Sequence, residues 1–317
     1  MISQPTYRPK ISNIPKFGRN WLWYAYALCL LLVSCSREIV VPQPDQVAVG
    51  PVIECILGTN DTHNIHYSRV AGISEPFKPQ PQATILLQTT TNRSKPAESN
   101  TAGQFTINNF RLNPRDSFQF SLTSPLDNVS VSDVIPSAIR ITKTDTSTEA
   151  IAGIGITQVF YLQFRDSAVD ENYYRITAQK QVRKYTLNAS GQAIDSSTEW
   201  QILKIDGNET PFVRNNFNNY TEQEILFSDE IFNGVLSTFR FYNLLPFRNS
   251  KIEKTLSVKI TLENLNLALY DYYNTRAEHL WSQKSITQLP GPVQSNIPNG
   301  YGVIGAATQE EWIIVYP

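Results

Sequence analysis

The sequence predicts a mainly β fold, with two Ig-like β-sandwich domains and one helix in the C-terminal domain. Three observations carry this expectation. From Pro51 onward, short alternating or apolar runs are separated by turn residues at sandwich-like spacings. One segment, from Asn264 to about Gln283, has helical periodicity instead. Of the three cysteines, Cys29 and Cys35 fall in or next to an N-terminal leader, so no disulfide staples the chain and about 280 residues must hold together by ordinary cores.

The leader comes first. Residues Leu32-Val33-Ser34-Cys35 follow the apolar run Trp21 to Val33 and four basic residues, Arg8, Lys10, Lys16 and Arg19, with no acidic residue before Cys35. A spanning helix needs about 20 apolar residues and a signal h-region about 7 to 15, so this run reads as a signal peptide over 1–34. The small residue before Cys35 makes it a lipoprotein signal, with Cys35 the site of lipidation; an ordinary cleaved signal is the alternative. Two or three acyl chains, each CH₂ contributing roughly 0.8 kcal/mol, would anchor the chain stably in a membrane. Ser36 stands where an Asp would resemble an inner-membrane retention signal, which favours the outer membrane and leaves its periplasmic and outer faces both open. Residues 35–50, with Pro42 and Pro44, read as a tether able to span roughly 40 Å.

An N-terminal sandwich is expected over 51–141, with strands at Val52 to Leu57, Ala83 to Gln88, Gln104 to Phe110 and Ser117 to Thr123. The apolar set slips phase near Asn108, which predicts a bulge or a strand end there. Thr89 to Gly103 has no apolar anchors and reads as a long polar loop. Residues 142–150 contain the run Thr-Lys-Thr-Asp-Thr-Ser-Thr-Glu, without an apolar side chain until Ala150, and read as a linker. The second domain, 151–317, is expected to hold strands at Ile154 to Phe164, Tyr173 to Lys180, Lys184 to Asn188, Glu199 to Ile205, Leu236 to Tyr242 and Thr255 to Leu262. Asn188 to Gly191 would close a hairpin between the third and fourth of these. Asn264 is the expected N-cap of the helix, whose Leu265, Leu269, Tyr273, Leu280 and Trp281 recur near helical spacing. Core packing is the main reading of that stripe. Its alternative is a ligand or interface surface formed by Tyr270, Tyr272, Tyr273 and Trp281, since aromatic rings also stack on sugars.

Few residues point to chemistry. Gly300-Tyr-Gly-Val-Ile-Gly305 matches a dinucleotide fingerprint in letters only, because Pro298-Asn299 precedes it and the chain ends at Pro317 before the required acid could appear. Its glycines more simply permit positive φ or close backbone approach in a loop crossing the sheet edge. His63 and His66 lie three apart, which on a strand puts them on opposite faces, so neither is assigned to a metal. His279 stands alone near the helix C-terminus. Asp229-Glu-Ile-Phe-Asn-Gly234 could place oxygens around calcium but lacks the EF-hand spacing and reads as a turn. Cys55 shares a face with Ile53 and Leu57 and reads as a core side chain. No catalytic residue, metal or cofactor is assigned.

The whole chain has 27 basic and 28 acidic residues; removing the four leader basics leaves 23 against 28. Nucleic-acid binding is disfavoured, since the densest basic cluster is only Lys180, Arg183 and Lys184, as a solvated hairpin would carry.

Several segments together are similar to a family. The lipobox, the N-terminal β domain, Val159 to Asp166 running into Asn172 to Ile176, Phe227 to Gly234, the helix with Tyr270 to Tyr273, and Pro292-Val-Gln-Ser-Asn-Ile297 before the glycine run resemble the Bacteroidota lipoproteins grouped as domain of unknown function 4249. That family usually has Phe just before the last glycine, where this chain has Ile304. The resemblance implies an outer-membrane lipoprotein, often encoded beside TonB-dependent receptors, with no established activity and no catalytic residues to carry over. The expected function is a binding or accessory component of such a receptor system, anchored by lipid and monomeric apart from its receptor. The alternatives are a surface structural or adhesion module and a carboxylate-dependent hydrolase.

Overall fold

In the computed structural model the described residues are 50–70, 82–91, 93–101, 103–207, 223–230, 232–245, 252–283 and 291–316. Cys35, the leader and the tether up to residue 49 lie outside them. Val47–Pro317 form one compact unit. The chain is mainly β, in several sheets, with a single helix among the described residues.

The N-terminal strands are β1 (Pro51–Leu57), β2 (His63–Arg69), β3 (Thr84–Thr89), β4 (Ser94–Pro96), β5 (Glu98–Thr101), β6 (Gln104–Ile107), β7 (Ser117–Thr123) and β8 (Asn128–Val134). There follow β9 (Ile141–Ile151), β10 (Gly155–Arg165), β11 (Tyr173–Leu187), β12 (Ala193–Ile202), β13 (Ile205–Asp206), β14 (Glu224–Ser228), β15 (Leu236–Asn243) and β16 (Glu253–Leu265). Helix α1 (Leu267–Ser282) and the final strand β17 (Tyr301–Val315) complete the order. One sheet has nine strands, in the order β12-β11-β16-β17-β1-β2-β6-β5 with β14 added beside β11. Two four-stranded sheets, β4-β3-β7-β8 and β13-β15-β10-β9, accompany it.

Two cores result. In the first, Ile53, Leu57, Ile65, Phe105 and Ile304 from the large sheet pack with Ile85, Leu87, Phe120 and Leu122 from the β4-β3-β7-β8 sheet. In the second, Tyr174, Ile176, Val258, Ile260 and Leu262 meet Phe160, Leu162, Phe164 and Phe239. Phe164 sits among rings: it stacks on Phe239 at 5.2 Å and meets Tyr174 and Phe232 edge-on at 5.0 and 6.1 Å. Such pairs contribute about 0.5–1.5 kcal/mol beyond the area they bury. Each core has the two-layer arrangement expected of a sandwich.

The last strand joins the two. Residues Tyr301 to Ala306 of β17 pair in parallel with β1, and Ala307 to Val315 pair antiparallel with β16. Ile297, Ile304 and Ala306 therefore complete the first core, although the sequence reading placed everything after residue 151 in the second domain. No local pattern could reveal this, because β1 and β17 stand at opposite ends of the chain.

The expected linker 142–150 is a strand. All of it lies in β9, paired with β10 from Ile141 to Ile151. Its Thr144 and Thr146 stand opposite Leu162 and Phe160, half-buried at the rim of the second core. An edge strand buries little, so β-branched threonines suffice where a central strand would need leucines. The polar loop Thr89 to Gly103 is likewise structured: β4 pairs with β3, and β5 pairs with β6. Ala97 between them donates its amide to Ile85 O at 2.9 Å, so the chain passes from one sheet to the other there. The strands β2 and β8 were also missed. The phase slip near Asn108 is a strand end: β6 stops at Ile107, and Asn109 adopts a φ of 53°.

The two runs expected at 173–180 and 184–188 are the single long strand β11, whose pairing with β16 is irregular between Gln181 and Val182. The hairpin turn at Asn188–Gly191 is present, with Asn188 Oδ1 accepting from the amides of Ser190 and Gln192 at 3.0 and 2.9 Å. The N-cap is Asn266 rather than Asn264. Asn264 is still extended in β16, and its Nδ2 bonds Ser137 O at 3.1 Å and Asn172 Oδ1 at 3.0 Å. Two residues later Asn266 Oδ1 accepts from Leu269 N at 3.3 Å and Ala306 N at 2.9 Å, capping α1 and tying it to β17.

Gly302 and Gly305 of the glycine run lie in β17 and Gly300 directly before it, and the close approach expected of the run is present. A Cβ on Gly302, at φ 97°, would stand 2.0 Å from Ile53 O. One on Gly305 would stand 2.7 Å from Leu269 Cβ, under α1. Gly153 also has a positive φ, 79°, but faces open space. Gly302→Ala is therefore expected to destabilise the protein by more than about 2 kcal/mol and Gly153→Ala by only about 1 kcal/mol, read from urea unfolding. Equal losses would mean that the β1–β17 approach is not tight.

Candidate functional site

The large sheet has one face toward the second core and one turned away from it. On β11 the outward side chains are Tyr173, Arg175, Thr177, Gln179 and Gln181, alternating with the core residues Tyr174, Ile176 and Ala178. Register brings Glu263, Lys259 and Ser257 of β16, and Glu311, Ile313 and Val315 of β17, onto the same outer face. Trp200 and Ile202 of β12 join it through Gln181 and Gln179.

Helix α1 covers one half. Leu269 and Tyr273 bury against Leu226, Leu265, Val303 and Ala307, with Tyr173, Tyr270 and Tyr272 packed around them. Beneath the helix Arg175 Nε bonds Glu263 at 2.5 Å and its NH1 lies 3.4 Å from Glu224. Its guanidinium also sits 4.2 Å from the centre of the Tyr273 ring. Burial opposes the charge on Arg175, but Glu263, helped by Glu224, outweighs it and holds the group above its ordinary pKa. Arg276 closes the cluster from the helix, 3.6 Å from Glu224 and 4.9 Å from the Tyr273 ring. A charge group of this kind, with its carboxylates almost fully buried, fixes how the helix sits on the sheet.

The aromatic residues singled out in the sequence are placed by this packing. Tyr273 is 3 % exposed, its ring covered by Arg175 and Arg276, and burial pushes its hydroxyl up to about 12. Tyr270 is half-buried against Tyr173 at 4.8 Å, and Tyr272 is half-buried 5.6 Å from Arg276. Trp281 is half-buried near the end of the helix. They do not form one open platform, because Tyr273 faces the sheet.

The other half of the face is open. Trp200, Ile202, Ile313 and Val315 are 45 %, 57 %, 54 % and 76 % exposed. The Lys259 ammonium lies 5.5 Å over the Trp200 ring and 3.2 Å from Glu311, placing an ion pair between the exposed residues of β12 and those of β17. The exposed face is thus a band in which two apolar pairs, Trp200 with Ile202 on β12 and Ile313 with Val315 on β17, flank a polar strip of Gln179, Gln181, Ser257 and Lys259 from β11 and β16, a mixed surface that suits contact with another protein. Sequence reasoning found these strands and missed the band. Alternation separates the two faces of a strand, but only the position of α1 determines which part of the outer face stays uncovered.

The remaining candidates are structural. Asp229, 3 % exposed, accepts from the backbone N of Asn172 at 2.9 Å and from its Nδ2 at 3.1 Å, so it closes a turn. Asp166 likewise accepts Gly234 N at 2.7 Å together with the Tyr174 hydroxyl. His63 and His66 lie on opposite faces of β2, the first buried and the second exposed. His63 Nε2 is 2.8 Å from Phe110 O, so that nitrogen carries the proton and donates it. Among the described residues no three side chains gather to hold a metal ion. Cys55 lies in the first core, where burial pushes its thiol up to about 12. His279 Nδ1 bonds Gly291 O at 2.7 Å. Lys180 and Lys184 pair with Glu253 and Glu199 within the hairpin region.

The profile of the family described as a domain of unknown function (DUF4249) matches residues 38–312. The chain belongs to this family. Among curated proteins, none matches the sequence. The DUF4249 match spans both sandwiches, α1 and most of β17, so the strand that joins the two cores falls within the family's own domain.

Two measurements test the site's construction. Glu263→Ala leaves Arg175 buried with Glu224 as its remaining carboxylate and is expected to cost about 3 kcal/mol in urea unfolding, whereas Arg175→Met with Glu263→Leu should recover most of it. Equal losses would show that packing, and not charge, seats α1. Burial lowers the His63 pKa below its ordinary 6.5, so the unfolded chain takes up the proton more readily. Its contribution to stability is complete above about pH 6.5 and falls as pH drops below that value. Asp229, raised by burial, acts in the opposite sense nearer its own ordinary value of 3.8. His63→Gln should therefore flatten the loss of stability between pH 7 and about pH 5; an unchanged slope would remove His63 as its source.

Proposed function

We propose that this protein is an outer-membrane lipoprotein of Bacteroidota, anchored through Cys35, that serves as a binding or accessory component of a TonB-dependent receptor system. The observation that carries this reading is the open half of the large sheet, where Trp200 and Ile202 on β12 and Ile313 and Val315 on β17 stay exposed on either side of a polar strip from β11 and β16. The lipobox Leu32 to Cys35 supports the anchor, and the extended composition of 35–50 supports a body held away from the lipid. Exposed apolar side chains fixed on sheet strands suit a standing interface with a membrane protein, where little ordering is needed on binding. Asp166 and Asp229 hold turns, and Glu224 and Glu263 hold Arg175 beneath the helix, which favours recognition over chemistry as the role of this scaffold.

The deciding experiment is a mild-detergent pull-down of the C-terminally tagged protein from native outer membranes, with mass spectrometry of what accompanies it. Stoichiometric recovery of a TonB-dependent receptor, falling by about tenfold in a Trp200→Glu, Ile313→Lys variant that remains folded, is the expected result. Recovery of the lipoprotein alone at native abundance would overturn the receptor reading in favour of a surface adhesion module.

A further inference from the structure

We propose that a cleft at the end of the β9–β10 ladder binds a phosphate-type oxyanion between Arg140 and Arg165. The cleft measures about 320 Å³, and its lining includes both arginines, Thr142, Ser167, Asp166 and Tyr174.

Register carries the argument. Phe164 pairs with Ile141 in the last pair of the ladder, and Arg165 and Arg140 each stand one residue beyond it, where both line the cleft. Like charges gathered in one cleft repel each other. Neither arginine is among the ion-paired residues of the described chain, and both are exposed.

The nearby carboxylates are engaged with donors of the protein itself. Asp166, 4 % exposed, takes the Tyr174 hydroxyl on one oxygen and Gly234 N on the other. Glu310 accepts the amide of Ile141. Arg140 and Arg165 therefore line the cleft with Asp166 as its one lining carboxylate, both of whose oxygens are already taken by protein donors. Each presents a planar fork of donors that fits two oxygens of a phosphate, and a doubly charged anion would relieve the repulsion between them.

The mounts are held in place. Ser137, three residues before Arg140, is fixed by Thr308 Oγ1 at 2.8 Å and Asn264 Nδ2 at 3.1 Å, both on its carbonyl. Ile141 follows Arg140 directly, and its amide is held by Glu310. Arg165 ends β10, where it pairs with Leu236 of β15. Binding thus needs side-chain ordering alone. This inference is independent of receptor docking, since β9 and β10 belong to a different sheet from the open apolar band.

A phosphate group could come from a soluble compound or from a lipid headgroup, and the test separates them. The purified full chain is titrated calorimetrically with inorganic phosphate, and separately with dihexanoyl phosphatidylglycerol below its micelle concentration, at constant ionic strength. Saturable binding of either probe, weakened about tenfold or more by Arg140→Gln with Arg165→Gln, is the expected result. Phosphate binding identifies a soluble anion as sufficient, and binding of the lipid alone identifies a headgroup site. Arg165→Lys keeps the charge but not the fork and should also weaken binding, which covers the case in which the double variant does not fold. Binding of neither probe, or equal binding by wild type and these variants, would overturn the proposal.

Discussion

The architecture depends on one backbone ladder. Strand β17 gives its first residues to β1 and its last to β16, so a single strand carries hydrogen bonds for both sandwiches. Backbone amides and carbonyls removed from water must be paired, and a strand pinned on both sides can neither slip register nor leave without exposing them. Gly302 makes the parallel contact possible, because only a residue without a Cβ fits against Ile53 O. The two cores consequently share a strand, and the fold closes only when the C-terminus returns to the first strand of the body. Such long-range pairing carries a loop-closure entropy that slows folding.

The helix depends on the same strand. Asn266 caps α1 and also accepts Ala306 N, so the start of the helix is fixed by an atom of β17. Gly305 lets Leu269 sit close to the sheet, and Arg175 with Glu263, Glu224 and Tyr273 determines the rest of the contact. An apolar pair in place of these charges could stabilise equally well. The charges instead add direction, since a guanidinium fork accepts few arrangements of its partners. By covering one half of the outer face and leaving the other, α1 creates the band on which the docking reading rests.

Much of the strand pattern was legible locally. Val52 to Leu57, Ser117 to Thr123 and Leu236 to Tyr242 alternate or run apolar because their residues line a core, and they appear as strands nearly where the pattern puts them. Edge strands were illegible for a physical reason. Residues Thr142 to Glu149 bury little, so their sequence resembles a linker, and what makes them a strand is the ladder offered by β10. Asn264 and Asn266 are equally good caps by residue type. The choice between them lies in how far β16 stays paired, which depends on Tyr174 and Thr308, far away in the sequence.

By itself the sequence determined the class of fold, the presence of one helix, the core position of Cys55, the opposite faces of His63 and His66, and the need for close approach at the glycine run. These follow from side-chain period and from the absence of a Cβ, both local properties. Only the tertiary structure decided that the two sandwiches share β17, that Tyr273 covers a buried arginine, that Trp200 and Ile313 are exposed on the same outer face, and that Arg140 and Arg165 line one cleft. Each of these is a relation between residues brought together by strand register, and register is set by pairing across the whole chain rather than by any one segment of it.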